Sequence, residues 1–239
     1  NSLYPGQRFP LPGSVTATVI AQGVLEFTRA TVNSAAPWVM LSTGIHGNET
    51  APIEMVNGLV MDLFSGQLTL GCQLEVQIGN IEAIRAEKRY LSYDMNRLFN
   101  GTHQQFPDEY EAQRAAQLEN ITRQFFQSAP SSSLRYHYDM HTALRESVYE
   151  QFAIRPYQAK QAQPIPLMHW LYQAGVTTFL FASHPSSTYS DFSSRTLGVD
   201  AYTIELGKAN AFGHNNLASL RQIDRILRKQ ISEPSDAPP

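Results

Sequence analysis

Cysteine is almost missing from this chain: Cys72 is the single one in 239 residues, so no intrachain disulfide can form and a thiolate zinc cluster is excluded. Long hydrophobic runs are missing as well. No stretch approaches the roughly 18 consecutive apolar residues of a membrane span, and the first residues lack the basic-then-apolar order of an export signal. Nor is there a block of one charge. Lys and Arg total 18 against 21 Asp and Glu, a formal net charge of -3, with the basic residues scattered singly; nucleic acid and anionic membranes need them gathered. Repeats and low-complexity tracts are also absent. The expectation left by these absences is a soluble, cytoplasmic protein whose partner is a small molecule.

What is present is a composition 42% apolar, enough at this length for one large domain with a well-buried core. That domain is expected over 1–232. The last residues, 233–239, are polar and Pro-rich and read as the start of an interdomain linker.

The apolar periodicity switches repeatedly between strand-like and helix-like segments, which predicts an α/β fold with a mixed, mostly parallel sheet covered by helices on both faces. Val15 to Ile20 and Val24 to Thr28 read as a hairpin. Trp38 to Thr43 is the near-continuous apolar run of a covered central strand. Ala51 to Phe64 follows with Ile53, Val56, Leu59, Val60 and Leu63 on one stripe, and Gly66 as a stop. Further strands are expected at Leu74 to Ile78, Leu134 to Met140, Phe152 to Arg155, Thr177 to Phe181 and Ala201 to Glu205. Helices are expected at Asp108 to Gln127, Pro166 to Gln173 and Leu217 to Ile231. The first of these is polar enough to read as a surface helix, with Tyr110, Leu118, Ile121 and Phe125 inward.

Chemistry concentrates at strand ends, where open α/β sheets bind ligands. In Gly44-Ile45-His46-Gly47-Asn48-Glu49 the first apolar strand hands over to its helix, and His46 and Glu49 can converge if Gly47 permits a tight turn. Tyr138-Asp139-Met140-His141-Thr142 supplies a third donor. Together His46, Glu49 and His141 form a His2Glu set that suits one Zn2+ with an open position for water. A hydrogen-bonded structural pair is the plainer reading of His46 and Glu49 alone. Asp139 suits either an acceptor behind a ligand imidazole or a residue pointing away. The other histidines, among them His137, read as ordinary surface or core residues. Glu205, in Tyr202-Thr203-Ile204-Glu205-Leu206-Gly207-Lys208, is the candidate general base, unless it merely pairs with Lys208.

Between the ligands lies Arg89-Tyr90-Leu91-Ser92-Tyr93-Asp94-Met95-Asn96-Arg97-Leu98-Phe99, too polar for core and too apolar for a linker. Arg97 beside Asn96 can grip a carboxylate, and Arg89 can face the oxyanion of water attack. Solvated surface is the alternative for both, and for Arg195.

Taken together, these segments resemble the succinylglutamate desuccinylase and aspartoacylase family, itself related to zinc carboxypeptidases. The resemblance runs from about Gly23 to Ile231. It implies a zinc-carboxypeptidase-like fold and zinc held by His46, Glu49 and His141, one ion per chain. It casts Glu205 as base and Arg89 as the group polarising the carbonyl. Asn96 and Arg97 would hold an α-carboxylate and Arg195 a second carboxylate. The runs Gly47-Asn48-Glu49-Thr50-Ala51-Pro52-Ile53-Glu54-Met55 and Glu205-Leu206-Gly207-Lys208-Ala209 lean toward the desuccinylase branch. The implied reaction is hydrolysis of N-succinyl-L-glutamate to succinate and L-glutamate, the last step of the succinyl-transfer route of arginine breakdown. Members of the family carry a further C-terminal β-rich domain, to which 233–239 would lead. The competing expectations are an aspartoacylase-like deacylation of another N-acyl amino acid and a non-catalytic zinc-dependent module that captures dicarboxylates.

Overall fold

The computed structural model describes residues 4–30, 36–145, 148–157 and 166–233; all of the expected linker beyond residue 233 lies outside them. Among the described residues nine strands form one sheet: β1 (Arg8–Leu11), β2 (Val15–Ala21), β3 (Val24–Arg29), β4 (Trp38–Thr43), β5 (Gln73–Ile78), β6 (Arg135–Ala143), β7 (Gln151–Arg155), β8 (Thr178–Phe181) and β9 (Asp200–Lys208). Their order is β1-β2-β3-β5-β4-β6-β9-β7-β8. Pairing is parallel through the centre, from β5 across β4 and β6 to β9, and again between β7 and β8. It is antiparallel in the β1-β2-β3 meander, between β3 and β5, and between β7 and β9. The sheet is therefore mixed, as the periodicity predicts. Strand β1 has too little alternation to be read from sequence and exists because β2 offers it an edge.

The helices are α1 (Thr50–Ser65), α2 (Ile81–Arg85), α3 (Tyr110–Gln127), α4 (Pro166–Gln173), α5 (Tyr189–Asp191), which runs on into a wide π-type turn at Phe192–Thr196, and α6 (Arg221–Ser232). The expected helix from Leu217 begins as a tight 3-10 turn, Leu217–Leu220, before α6. None is long and apolar enough to cross a membrane.

Alternation along the strands divides the core in two. Val39, Leu41, Leu74, Val76, Tyr138, Met140, Tyr202 and Ile204 face one way, packing with residues of α1, α4 and α6. Met40 and Ala201 face the other way, against Ala115, Leu118, Ile121 and Phe125 of α3. This second face also carries a buried row of polar side chains: Ser42, Glu75, Gln77, His137, Asp139 and His141.

Helix α3 departs from its reading as a surface helix. Glu111, Arg114, Glu119 and Thr122 are buried, while Tyr110 is only half-buried. The polar groups are used to tie loops. The Arg114 guanidinium donates to the carbonyls of Gln22, Ile78 and Gly79, each at 2.8 Å. The Glu111 carboxylate accepts from the Leu91 amide at 2.6 Å. A buried backbone group left unpaired costs free energy on the order of a lost hydrogen bond, so α3 holds the loop from Arg89 to Asp94 by satisfying it.

Candidate metal centre and active site

The handover from β4 to α1 is possible because of Gly47. A Cβ there would lie 2.4 Å from the Ala83 carbonyl carbon and 2.4 Å from the Ile84 nitrogen. Gly47 is thus needed for close approach of two backbones, while the positive φ of this loop, 66°, falls at Gly44. The Gly47 amide donates to the Arg89 carbonyl at 3.0 Å, which draws the arginine loop against the His46 turn.

His46, Glu49 and His141 come together, all buried, with potential ligand atoms within 4.8 Å of one another. His46 Nδ1 lies 2.9 Å from Glu49 Oε1, and His141 Nδ1 lies 2.9 Å from Glu49 Oε2. The Thr142 amide also donates to Oε2, at 3.1 Å. Burial by itself would raise the Glu49 carboxyl, but His141 and His46 beside it hold it well below the ordinary carboxylate range. On the far side of each imidazole stands another carboxylate. Asp94 Oδ1 is 2.8 Å from His46 Nε2, and Asp139 Oδ2 is 3.3 Å from His141 Nε2. Burial disfavours charge on His141, yet Asp139 and Glu49 raise it well above an ordinary histidine. A carboxylate on Nε2 keeps that nitrogen protonated and leaves Nδ1 as the donor toward a metal. Two imidazole nitrogens and a carboxylate, converging and backed in this way, fit a zinc ion.

Strand β6 runs one turn of pleat further than expected, through Ala143, so His141 sits within it and faces Glu205 as its register partner on β9. Partners on adjacent parallel strands share a face, about 4.8 Å apart. Glu205 is half-buried, and its Oε2 is buried without a hydrogen-bond partner among the described residues. Burial raises its pKa above that of an ordinary glutamate, with the Glu49 charge adding to the effect against the two histidines.

The arginines are placed differently from one another. Arg89 NH1 donates to Glu49 Oε1 at 2.6 Å, so its guanidinium reaches the centre itself. Arg97 is exposed, with NH1 on the carbonyl of buried Asn96 at 2.9 Å, and the Asn96 side-chain carbonyl accepts from the Tyr189 amide at 2.9 Å. Arg195 is held by Asp191 at 2.9 Å, and Asp191 is in turn fixed by Asn100 Nδ2 at 2.8 Å.

Asp94 was legible only as part of the Asp94-Met95-Asn96-Arg97 run, where attention to anion binding favours the last two residues and passes over the carboxylate that orients His46. Asp139, open between two orientations in the sequence, points toward His141.

A sheet with donor residues at the carboxyl ends of adjacent parallel strands, and a half-buried carboxylate beside them, defines an α/β protein with a candidate mononuclear metal site. The succinylglutamate desuccinylase/aspartoacylase catalytic-domain family model matches residues 35–231, and the chain belongs to that family. It is 44% identical over 228 residues to succinylglutamate desuccinylase of Chromobacterium violaceum, covering 95% of this chain and 67% of that protein. The Burkholderia cenocepacia protein of the same name is 45% identical over 221 residues, covering 92% of this chain and 63% of that one. A crystal structure of the Chromobacterium violaceum desuccinylase superposes with a TM-score of 0.92 at 42% identity, over 99% of this chain and 72% of that one.

Proposed function

We propose that this chain is the zinc-dependent catalytic part of a hydrolase that cleaves the amide bond of N-succinyl-L-glutamate, giving succinate and L-glutamate. The observation that carries a hydrolytic reading is the unpartnered, buried Glu205 oxygen beside the His46, Glu49 and His141 group. A pure binding module has no use for such a group, because an unsatisfied buried carboxylate oxygen costs stability. When bound, zinc supplies Lewis acidity and brings the pKa of a water toward neutrality.

The chain's own residues then divide the work. His46, Glu49 and His141 hold the ion, with Asp94 and Asp139 orienting the two rings. Glu205 accepts a proton from the attacking water and returns it to the departing amine nitrogen as the C–N bond breaks. Arg89 stabilises negative charge on the former carbonyl oxygen. Asn96 and Arg97 receive the α-carboxylate, and Arg195 a distal carboxylate. The substrate is argued from the names of relatives above 40% identity and from the three candidate arginines Arg89, Arg97 and Arg195, whose number suits a tricarboxylate. A cytoplasmic setting, and a place in arginine breakdown, follow from the same reading together with the lone buried thiol.

The test is kcat/KM of the zinc-loaded protein for N-succinylglutamate, N-acetylglutamate and N-acetylaspartate. The expected order puts succinylglutamate first, with the gap to acetylglutamate narrowing in Arg195→Ala if Arg195 meets the acyl carboxylate. Preference for N-acetylaspartate would transfer the chain to the aspartoacylase type, and no turnover of any amide would leave the binding module.

A further inference from the structure

Behind His141 the second face of the sheet carries a buried relay of polar side chains. Ser193 Oγ, in the π-type turn after α5, is 2.7 Å from His137 Nδ1. His137 Nε2 is 2.8 Å from Ser42 Oγ on β4, and that hydroxyl donates to Asp139 Oδ1 at 2.6 Å. Asp139 Oδ2 then meets His141 Nε2 at 3.3 Å. Ser42, His137, Asp139 and Ser193 are all completely buried.

Counting donors gives the relay one direction. The Asp139 carboxylate accepts from the Ser42 hydroxyl. Ser42 has one proton and spends it on Asp139, which obliges His137 to present N–H at Nε2. His137 is neutral, since burial pushes it down to about 4. Its Nδ1 lies against Ser193 Oγ, whose hydroxyl also has the Ser190 carbonyl within reach at 3.1 Å. From His137 onward the links point toward Asp139, whose Oδ2 stands 3.3 Å from His141 Nε2 as an ion-pair contact.

We propose that His137, with Ser42 and Ser193, is a positioning unit for the candidate metal ligand His141, fixing the Asp139 carboxylate that stands against the ring and through it the tilt of the ring. This rests on the metal reading above. No member of the unit besides Asp139 touches a ligand, so the effect passes through Asp139 alone. Removing a partner of a ligand histidine costs about 10–100-fold in metal affinity, and a group one link further back belongs at the lower end.

The experiment measures zinc dissociation constants by chelator competition, and the absorption spectrum of the cobalt(II)-substituted protein, for the unaltered protein and for His137→Phe, His137→Gln and Ser42→Ala. Thermal midpoints of the metal-free forms are measured alongside. Expected is about tenfold weaker zinc binding and a shifted cobalt spectrum in His137→Phe and Ser42→Ala. In His137→Gln, whose amide offers N–H to Ser42 and a carbonyl to Ser193, binding and spectrum should return toward the unaltered protein. If His137→Phe does not fold, Ser42→Ala decides the matter, because it deletes one oxygen at the link beside Asp139. Unchanged zinc affinity and cobalt spectrum in the folded variants, whatever their midpoints, overturn the positioning role and leave the metal site standing. Failure of the unaltered protein to bind zinc overturns both.

Discussion

At the residue scale the site contrasts two glutamates that share one small volume. Glu49 has imidazoles on both oxygens and is held ionised; Glu205 has a bare buried oxygen and is pushed the other way. Environments that separate carboxyl groups in this way mark a ligand and a base. Glu205→Gln keeps the shape and removes the proton acceptor, so hydrolysis should fall at least about a hundredfold while zinc content stays the same; near-native turnover would remove Glu205 from the mechanism. Because the base must be ionised, kcat/KM in the unaltered protein should drop as pH falls through a pKa above that of an ordinary glutamate. Gly47 sets a different limit. With backbone atoms 2.4 Å from where a Cβ would stand, Gly47→Ala cannot be relieved by a rotamer change, and the β4–α1 turn must separate from α2. The expected loss is about 1 to 3 kcal/mol of stability, the usual range for overpacking, together with weaker zinc binding, both readable from denaturant titrations with and without metal.

At the scale of elements, the polar face of the sheet carries an acid that has no part in the reaction. Glu75 on β5 is fully buried, accepts from Gln77 Nε2 at 2.8 Å, and stands opposite Glu26 of β3 in the strand register. Burial raises it to about 8 from an ordinary 4.5, with Gln77 lowering and Glu26 adding to the shift. A carboxyl raised in the folded state contributes stability that is complete below the unfolded value and is lost as pH rises through the folded one. Stability should therefore decline between about pH 4.5 and pH 8, by up to about 1.4 kcal/mol per pH unit from this group. Glu75→Gln, which has no charge to develop, should flatten that decline in urea midpoints measured across the window. A decline of unchanged slope would assign it to other groups, Glu26 first among them.

At the scale of the whole molecule, the candidate metal centre joins parts of the chain that are distant in sequence. His46 and Glu49 come from the β4–α1 turn, His141 from β6 and Asp94 from the loop before the short turn Met95–Arg97. An ion that binds only this arrangement stabilises folding by about 2.7 kcal/mol when free metal is a hundred times Kd. Zinc should accordingly raise the thermal midpoint in a concentration-dependent way, and His141→Ala should abolish the rise. A midpoint indifferent to zinc in the unaltered protein would mean the three donors do not form a site.

Much of this was readable along the chain because the signals are local. The apolar run at Trp38 to Thr43, the stripe of α1 and the strand-end motifs around His46, His141 and Glu205 depend on residues within one element, and periodicity reports them directly. The sequence by itself thus determined the α/β class and pointed to the candidate donor set and base. What it could not determine was direction and partnership across elements. Asp139 faces His141 because β6 extends to Ala143. His137 is part of a relay because β4 and the turn after α5 bring Ser42 and Ser193 to its two nitrogens, and α3 buries its charges because loops near the site need their backbone groups paired. Arg195 meets Asp191 because a helical turn puts them four residues apart. The bonds of His137 and of α3 take their second half from another part of the fold, and only the tertiary structure decides which buried polar groups share one.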